Sequence, residues 1–187
     1  MRLLRCKGWT APAGAVSPSA PRRSILKLPK VKSFKIPESV LVVIHTPALE
    51  VLLLERADWP GHWQSVTGAK DFAGETFEAT AVREVWEETG IDARAPGHVL
   101  TDWQHKNIYD IWPRWQHRYA PGVVRNHEQV FGLCVPADIA VTLNPREHVA
   151  ARWLPWAEAQ TACFSRTNAE MCQLLAARMP PAGAGAP

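Results

Sequence analysis

The chain has 187 residues, 47% of them apolar and 21% charged, with a formal net charge of +3. These are ordinary globular values, and a chain this long buries a core without disulfide staples, which excludes a disulfide-held miniprotein. No run approaches the roughly 20 apolar residues that a membrane span needs, so no membrane partner is expected.

The net charge hides a split. Residues 1–37 hold nine Lys/Arg and no acid, which leaves twelve Lys/Arg against all eighteen Asp/Glu in the remainder, a net of −6. The basic pI therefore describes the start of the chain and not its body, and no nucleic-acid partner is expected, because the groove-facing part of such a protein is itself basic. Residues 1–34 carry Gly, Ala, Pro and Ser without an apolar period and read as a disordered basic extension. The expected folded domain is 35–179, followed by a disordered tail at 180–187. A start rich in Arg and free of acid can imitate a transit peptide, but Lys7 and Pro12 interrupt any secretory apolar run, and the expected location is the cytoplasm. Cys6, Cys134, Cys163 and Cys172 form no CxxC pair, so no zinc ribbon is suggested and the thiols read as isolated, buried groups in a reducing compartment.

From residue 39 the texture changes. Residues 39–45 are a β-branched run between Pro37 and Pro47 and predict a buried strand, and residues 51–54 predict a second strand paired with it as a hairpin. A loop with Pro60 and Gly61 leads to Trp63-Gln64-Ser65-Val66-Thr67-Gly68. A helix follows over 76–89, with Gly90 as its stop. Further strands are expected near 98–104, 128–136 and 148–154. A last helix is expected from Thr167, where Thr167-Asn168-Ala169-Glu170 has the capping-box pattern, ending at Pro180 and Pro181. Strands interleaved with two helices mean a mixed α/β domain. None of the seven histidines has zinc-motif spacing, and the nine tryptophans do not by themselves mark a binding face, with Trp86 expected to pack against the sheet or a helix.

The helix over 76–89 carries an unusual charge pattern. At about 100° per residue, Phe77, Ala81 and Val85 form a core-facing stripe, and Glu84 and Glu88 fall within roughly 20° of Phe77. Like charges at i,i+4 repel, and partial burial makes the repulsion costlier. A hard divalent cation relieves it, since Mg²⁺ is held by one or two carboxylates together with substrate phosphates. Taken alone, the wheel also fits a solvated acidic helix in which Arg83 is an ordinary salt-bridge partner.

The flanking residues decide between these readings. Gly68, six residues, Glu75, seven residues, and then Arg83-Glu84-Val85-Trp86-Glu87-Glu88-Thr89-Gly90-Ile91 resemble the Nudix box. That pattern is a glycine, five residues, a glutamate, seven residues, then Arg-Glu-aliphatic-x-Glu-Glu-x-Gly-aliphatic. The one departure is the extra residue in the turn 69–73. The resemblance implies a Nudix-type α/β/α sandwich with a mixed sheet, and a hydrolase that cuts phosphoanhydrides with Mg²⁺, or Mn²⁺ in its place. Carried over by position, it makes Glu84 and Glu88 the main metal ligands, with Glu87 contributing directly or through water. Arg83 and Glu75 would pair to hold loop against helix, and Gly68 and Gly90 would allow the turns at either end. Glu147, a strand-end surface acid on position alone, becomes a candidate ligand or general base.

Stretches outside the box resemble a narrower branch of the family, whose substrate is a pterin triphosphate of folate biosynthesis. They are residues 63–68, residues 117–123 with Arg125-Asn126, and Glu147-His148 ahead of Trp153-Leu154. This resemblance implies conversion of dihydroneopterin triphosphate to the monophosphate and pyrophosphate. It places Lys35, Arg56, Thr67 and Ser165 against the substrate, with Tyr109 to Trp112 matching a lining segment less closely. Structural alternatives stand beside these roles: Trp63 as core, Arg118 and Tyr119 as loop packing, Ser165 as a helix cap. The expected partner is a small-molecule pterin or nucleotide triphosphate, and a monomer is favoured. The rival readings are hydrolysis of a dinucleoside polyphosphate, ADP-ribose, an oxidised dNTP or an RNA 5′ end, and a non-catalytic nucleotide sensor. The presence of Glu75, Glu84, Glu87 and Glu88 together counts against the sensor.

Overall fold

The computed structural model describes residues 34–178. The expected tails at 1–34 and 180–187, and the helix stop at Pro180 and Pro181, lie outside the described residues apart from Phe34. Among the described residues no helix is long and apolar enough to cross a membrane.

The sheet is built around β1 (Glu38–His45), whose side chains from Ser39 onward are all buried. One edge of β1 pairs in parallel with β6 (Arg125–Cys134), and β6 pairs antiparallel with β5 (Val99–Asp110). On the other edge the expected hairpin with β2 (Glu50–Arg56) is present only as a turn. β1 and β2 share a single pair, His45 with Val51, and then diverge. β2 pairs instead with β7 (His148–Pro155). The vacated edge of β1 is taken by β4 (Val66–Ala69), while β3 (Trp63–Gln64), just before it, pairs with the end of β2. This crossing from one strand to the other leaves an opening flanked by Arg56 on β2 and Thr67 on β4, bridged by Gln64.

Strand alternation divides the core between the two faces. Val40, Val42 and Ile44 point to one face, which is covered by α1 (Phe77–Thr89) through Ala81 and Val85. Each fully buried valine there contributes about 1.5–3 kcal/mol relative to an exposed one. Leu41 and Val43 point to the other face, covered by α3 (Trp156–Ala162) and α4 (Arg166–Arg178) through Ala159, Met171, Cys172 and Leu175. The result is the mixed sheet between helices that the box implied. A short helix, α2 (Pro113–Gln116), adds to the count, so four helices stand among the described residues where two were expected.

Both ends of α1 lie where the sequence puts them. The Thr76 side chain accepts a hydrogen bond from the Ala79 N–H, and Gly90 takes the left-handed conformation at φ 67° with its N–H on the Trp86 carbonyl. Three details differ from expectation. Trp86 is 59% exposed, because it lies on the solvent side of α1 and no element among the described residues covers it. α4 is capped by Ser165, whose hydroxyl accepts from the Asn168 N–H at 3.2 Å, so Thr167 falls inside the first turn and its capping box does not form. Cys163 and Cys172 are not isolated, with sulfurs 3.9 Å apart across the α3–α4 junction.

Candidate active site

The acidic face of α1 meets β4 at Gly68. A Cβ on Gly68 would lie 1.8 Å from Cδ of Glu84. Gly68 is therefore needed for close approach, within a regular strand, and not for a turn. The space it leaves lets the Glu84 side chain lie flat across β4.

Arg83 organises this corner. Its guanidinium donates to Glu75 twice, Nε to Oε1 at 2.9 Å and Nη2 to Oε2 at 3.1 Å, and also to the Ala69 carbonyl at 2.9 Å. Nη1 reaches Glu84 at 2.8 Å and Glu87 at 3.1 Å. Loop 69–75 is thus clamped to the helix through one side chain. Arg83 holds the Glu75 carboxyl below the usual carboxylate range. For Glu84, burial outweighs Arg83, with Glu88 and Glu87 pushing the same way as burial, and its pKa rises to about 7. Glu88 is buried more deeply still, at 2% exposure, and burial raises its pKa although His148 and the Thr67 backbone oppose the shift.

The end of α1 also anchors the segment before β7. The Thr142 N–H donates to the Thr89 carbonyl at 2.8 Å and the Asn144 N–H to the Glu88 carbonyl at 3.3 Å. These bonds bring Glu147 and His148 beside Glu88, where their oxygens and nitrogen lie within 4.8 Å of one another. His148 Nε2 is 2.9 Å from Glu88 Oε2, and its buried Nδ1 has no hydrogen-bond partner among the described residues. The oxygen donors of Glu84, Glu88 and Glu147 suit a hard divalent cation, and His148 suits the role of orienting one of them. Glu84 itself is turned towards Arg83 and is not part of the tight Glu88–Glu147–His148 group.

One cleft of about 920 Å³ is lined by these residues and by Arg56, Gln64 and Thr67, which flank the opening. All nine site residues expected from the sequence line it: Lys35, Arg56, Thr67, Arg83, Glu84, Glu87, Glu88, Glu147 and Ser165. Arg56 forks onto Asp58 at 2.9 and 3.0 Å and reaches Gln64 at 3.1 Å, and Gln64 in turn donates to the Thr67 hydroxyl at 3.2 Å. Ser65 N–H donates to Asn168 Oδ1 at 2.8 Å, which docks the Ser165 end of α4 against the β3–β4 segment. Sequence reasoning assigned no role to His148 or Asp58, and none to Glu128 deeper in the cleft. A histidine following a candidate ligand was the one available signal for His148. Glu128 becomes visible only when β5 and β6 are paired, and Asp58 only through the fork that Arg56 makes onto it.

Residues 35–175 match the NUDIX domain family. The chain is 43% identical over 143 residues to dihydroneopterin triphosphate diphosphatase of Escherichia coli, covering 75% of this chain and 93% of that protein. It is 35% identical over 149 residues to the Haemophilus influenzae protein of the same name, covering 79% and 92%. The solved structure of the E. coli dihydroneopterin triphosphate pyrophosphohydrolase superposes with a TM-score of 0.71 at 38% identity, over 79% of this chain and 99% of that one.

Proposed function

The chain belongs to the Nudix family, and from that premise we propose that it removes pyrophosphate from dihydroneopterin triphosphate, leaving dihydroneopterin monophosphate. The observation that carries this reading is the continuous cleft, which has carboxylates at one side of the sheet opening and the cations Lys35, Arg56 and Arg118 beside them. A triphosphate laid along it meets cations at its oxygens and carboxylates at the bond to be cut.

Nudix hydrolases work with a divalent metal, and we propose Mg²⁺ here, held by Glu84, Glu88 and Glu147. When bound, the ion neutralises phosphate oxygens and lowers the pKa of water. The protein supplies the remainder. Arg56 and Lys35 bind the phosphate chain, and Thr67 and Ser165 offer hydroxyls to its polar edges. Arg83 fixes the Glu84 carboxylate, and His148 fixes that of Glu88. Glu147, exposed and at a loop end, takes the proton of the attacking water as the α–β anhydride opens. The test is incubation with dihydroneopterin triphosphate and Mg²⁺, following pyrophosphate. Release of pyrophosphate is expected. No release, alongside robust turnover of ADP-ribose, would overturn the substrate.

A further inference from the structure

Glu128 is a buried acid for which phosphate hydrolysis has no use. It lies on β6 at 3% exposure and lines the cleft. Its oxygens accept from Asn107 Nδ2 at 3.0 Å and from the Tyr109 hydroxyl at 3.2 Å, both neutral donors on β5. Among the described residues no ion pair reaches it, and burial lifts its pKa well above the usual carboxylate range. A buried carboxylate without a cation is costly unless something pairs with it.

Its neighbours are organised around it. Tyr109 and Asn126 are cross-strand partners, and Asn126 Nδ2 donates to Ser39 Oγ at 2.6 Å and to the Tyr109 oxygen at 3.0 Å. Ser39, Asn126, Glu128 and Tyr109 therefore form a polar floor on the sheet face that carries Leu41, Val43 and Val130, with apolar core directly behind it. Thr67, opposite Leu41 on β4, shares this face, whereas Gly68 and Glu84 lie on the other. A substrate whose phosphates lie at the opening thus has its head group directed along the face towards Glu128.

We propose that Glu128 is the specificity determinant for the head group, its carboxylate accepting two N–H bonds from a 2-amino-4-oxo-pyrimidine edge. Such an edge, as in a pterin, presents a ring N–H and an exocyclic amine side by side, which match the two oxygens of one carboxylate. Each oxygen already takes one hydrogen bond and has acceptor capacity for a second. An adenine edge offers no such pair and would leave the acid unpaired. Tyr109 and Asn107 hold the carboxylate in plane. This inference rests on the pterin reading given above.

The experiment compares dihydroneopterin triphosphate with its 2-deamino analogue in the wild-type enzyme and in Glu128→Gln, with Mg²⁺ present. The wild type is expected to lose about ten- to a hundredfold in kcat/KM on the analogue, mainly through KM. In Glu128→Gln, whose amide donates where the carboxylate accepts, that preference is expected to collapse. Equal rates on both substrates in the wild type, or an undiminished preference in the variant, would overturn the role of Glu128 and leave the activity intact. Failure of the wild type to cut dihydroneopterin triphosphate at all would instead overturn the reading on which it rests. Should the variant not fold, the wild-type comparison alone decides.

Discussion

Nε2 of His148 lies 2.9 Å from Oε2 of Glu88, and both side chains are buried. When the Glu88 carboxylate accepts, the imidazole donates through Nε2, and its buried Nδ1 has no hydrogen-bond partner among the described residues. The histidine thereby holds the Glu88 carboxylate, which lines the cleft, in a fixed orientation. Replacing such an orienting partner typically costs 10–100-fold in metal affinity. His148→Ala is expected to raise the Mg²⁺ concentration for half-maximal rate by about that factor, read from rates against Mg²⁺. An unchanged Mg²⁺ curve would remove His148 from the site.

Glu88→Gln separates chemistry from fold. Its activity is expected to fall by about 10²–10⁴-fold, the size of a lost metal-based stabilisation. Its metal-free thermal midpoint should stay level or rise, because the variant no longer buries a charge. Pyrophosphate release and a melt in chelator measure the two effects.

Glu84 makes metal-free stability depend on pH. Its folded pKa of about 7 lies above the ordinary 4.5, so the folded state binds the proton more tightly. The resulting stabilisation is fully present below 4.5 and is lost as pH rises through about 7. Melts in chelator should show that decline. Mg²⁺ affinity should move the opposite way, since the ion competes with the proton and gains as pH rises through the same range. Calorimetric titrations at pH 6 and pH 8 (conditions set by the value of about 7) check the sign.

Gly68→Ala tests the close approach of α1 to β4. A Cβ would overlap Cδ, Oε1 and Cγ of Glu84, so the carboxylate must leave Arg83 or the strand must shift. Overpacking of this kind costs about 1–3 kcal/mol of stability. Activity should fall as well, because the displaced group is a candidate ligand. A variant with wild-type melt and rate would show that the contact is dispensable.

The parts of this fold that were legible in the sequence are the locally determined ones. α1 could be bounded to within one residue because Thr76 and Gly90 act within one turn of it. Arg83, Glu84, Glu87 and Glu88 could be grouped because the box carries them on one helix, whereas Lys35, Arg56, Thr67, Glu147 and Ser165 lie outside the box and rested on the narrower resemblance. Pairing over longer distances was not. The residues of β1 and β2 permit a full hairpin, and the competition of β4 and β7 for their edges, which is invisible locally, reduces it to one pair. Thr167 and Ser165 both had capping chemistry, and the docking of Asn168 on Ser65 favoured the earlier start. Trp86 was expected to pack and is exposed, because the sequence of one helix does not tell whether a neighbour covers its far side. His148 and Glu128 escaped notice because their roles come from residues 60 and 21 positions away in the chain.

The central claim is that Glu84, Glu88 and Glu147 grip a divalent ion beside the bond that is cut. Anomalous diffraction from crystals grown with Mn²⁺ and a non-cleavable triphosphate analogue tests it most directly. The account predicts a metal peak about 2.1 Å from carboxylate oxygens of these glutamates and from a phosphate oxygen. A peak elsewhere, with those oxygens facing bulk water, would contradict it.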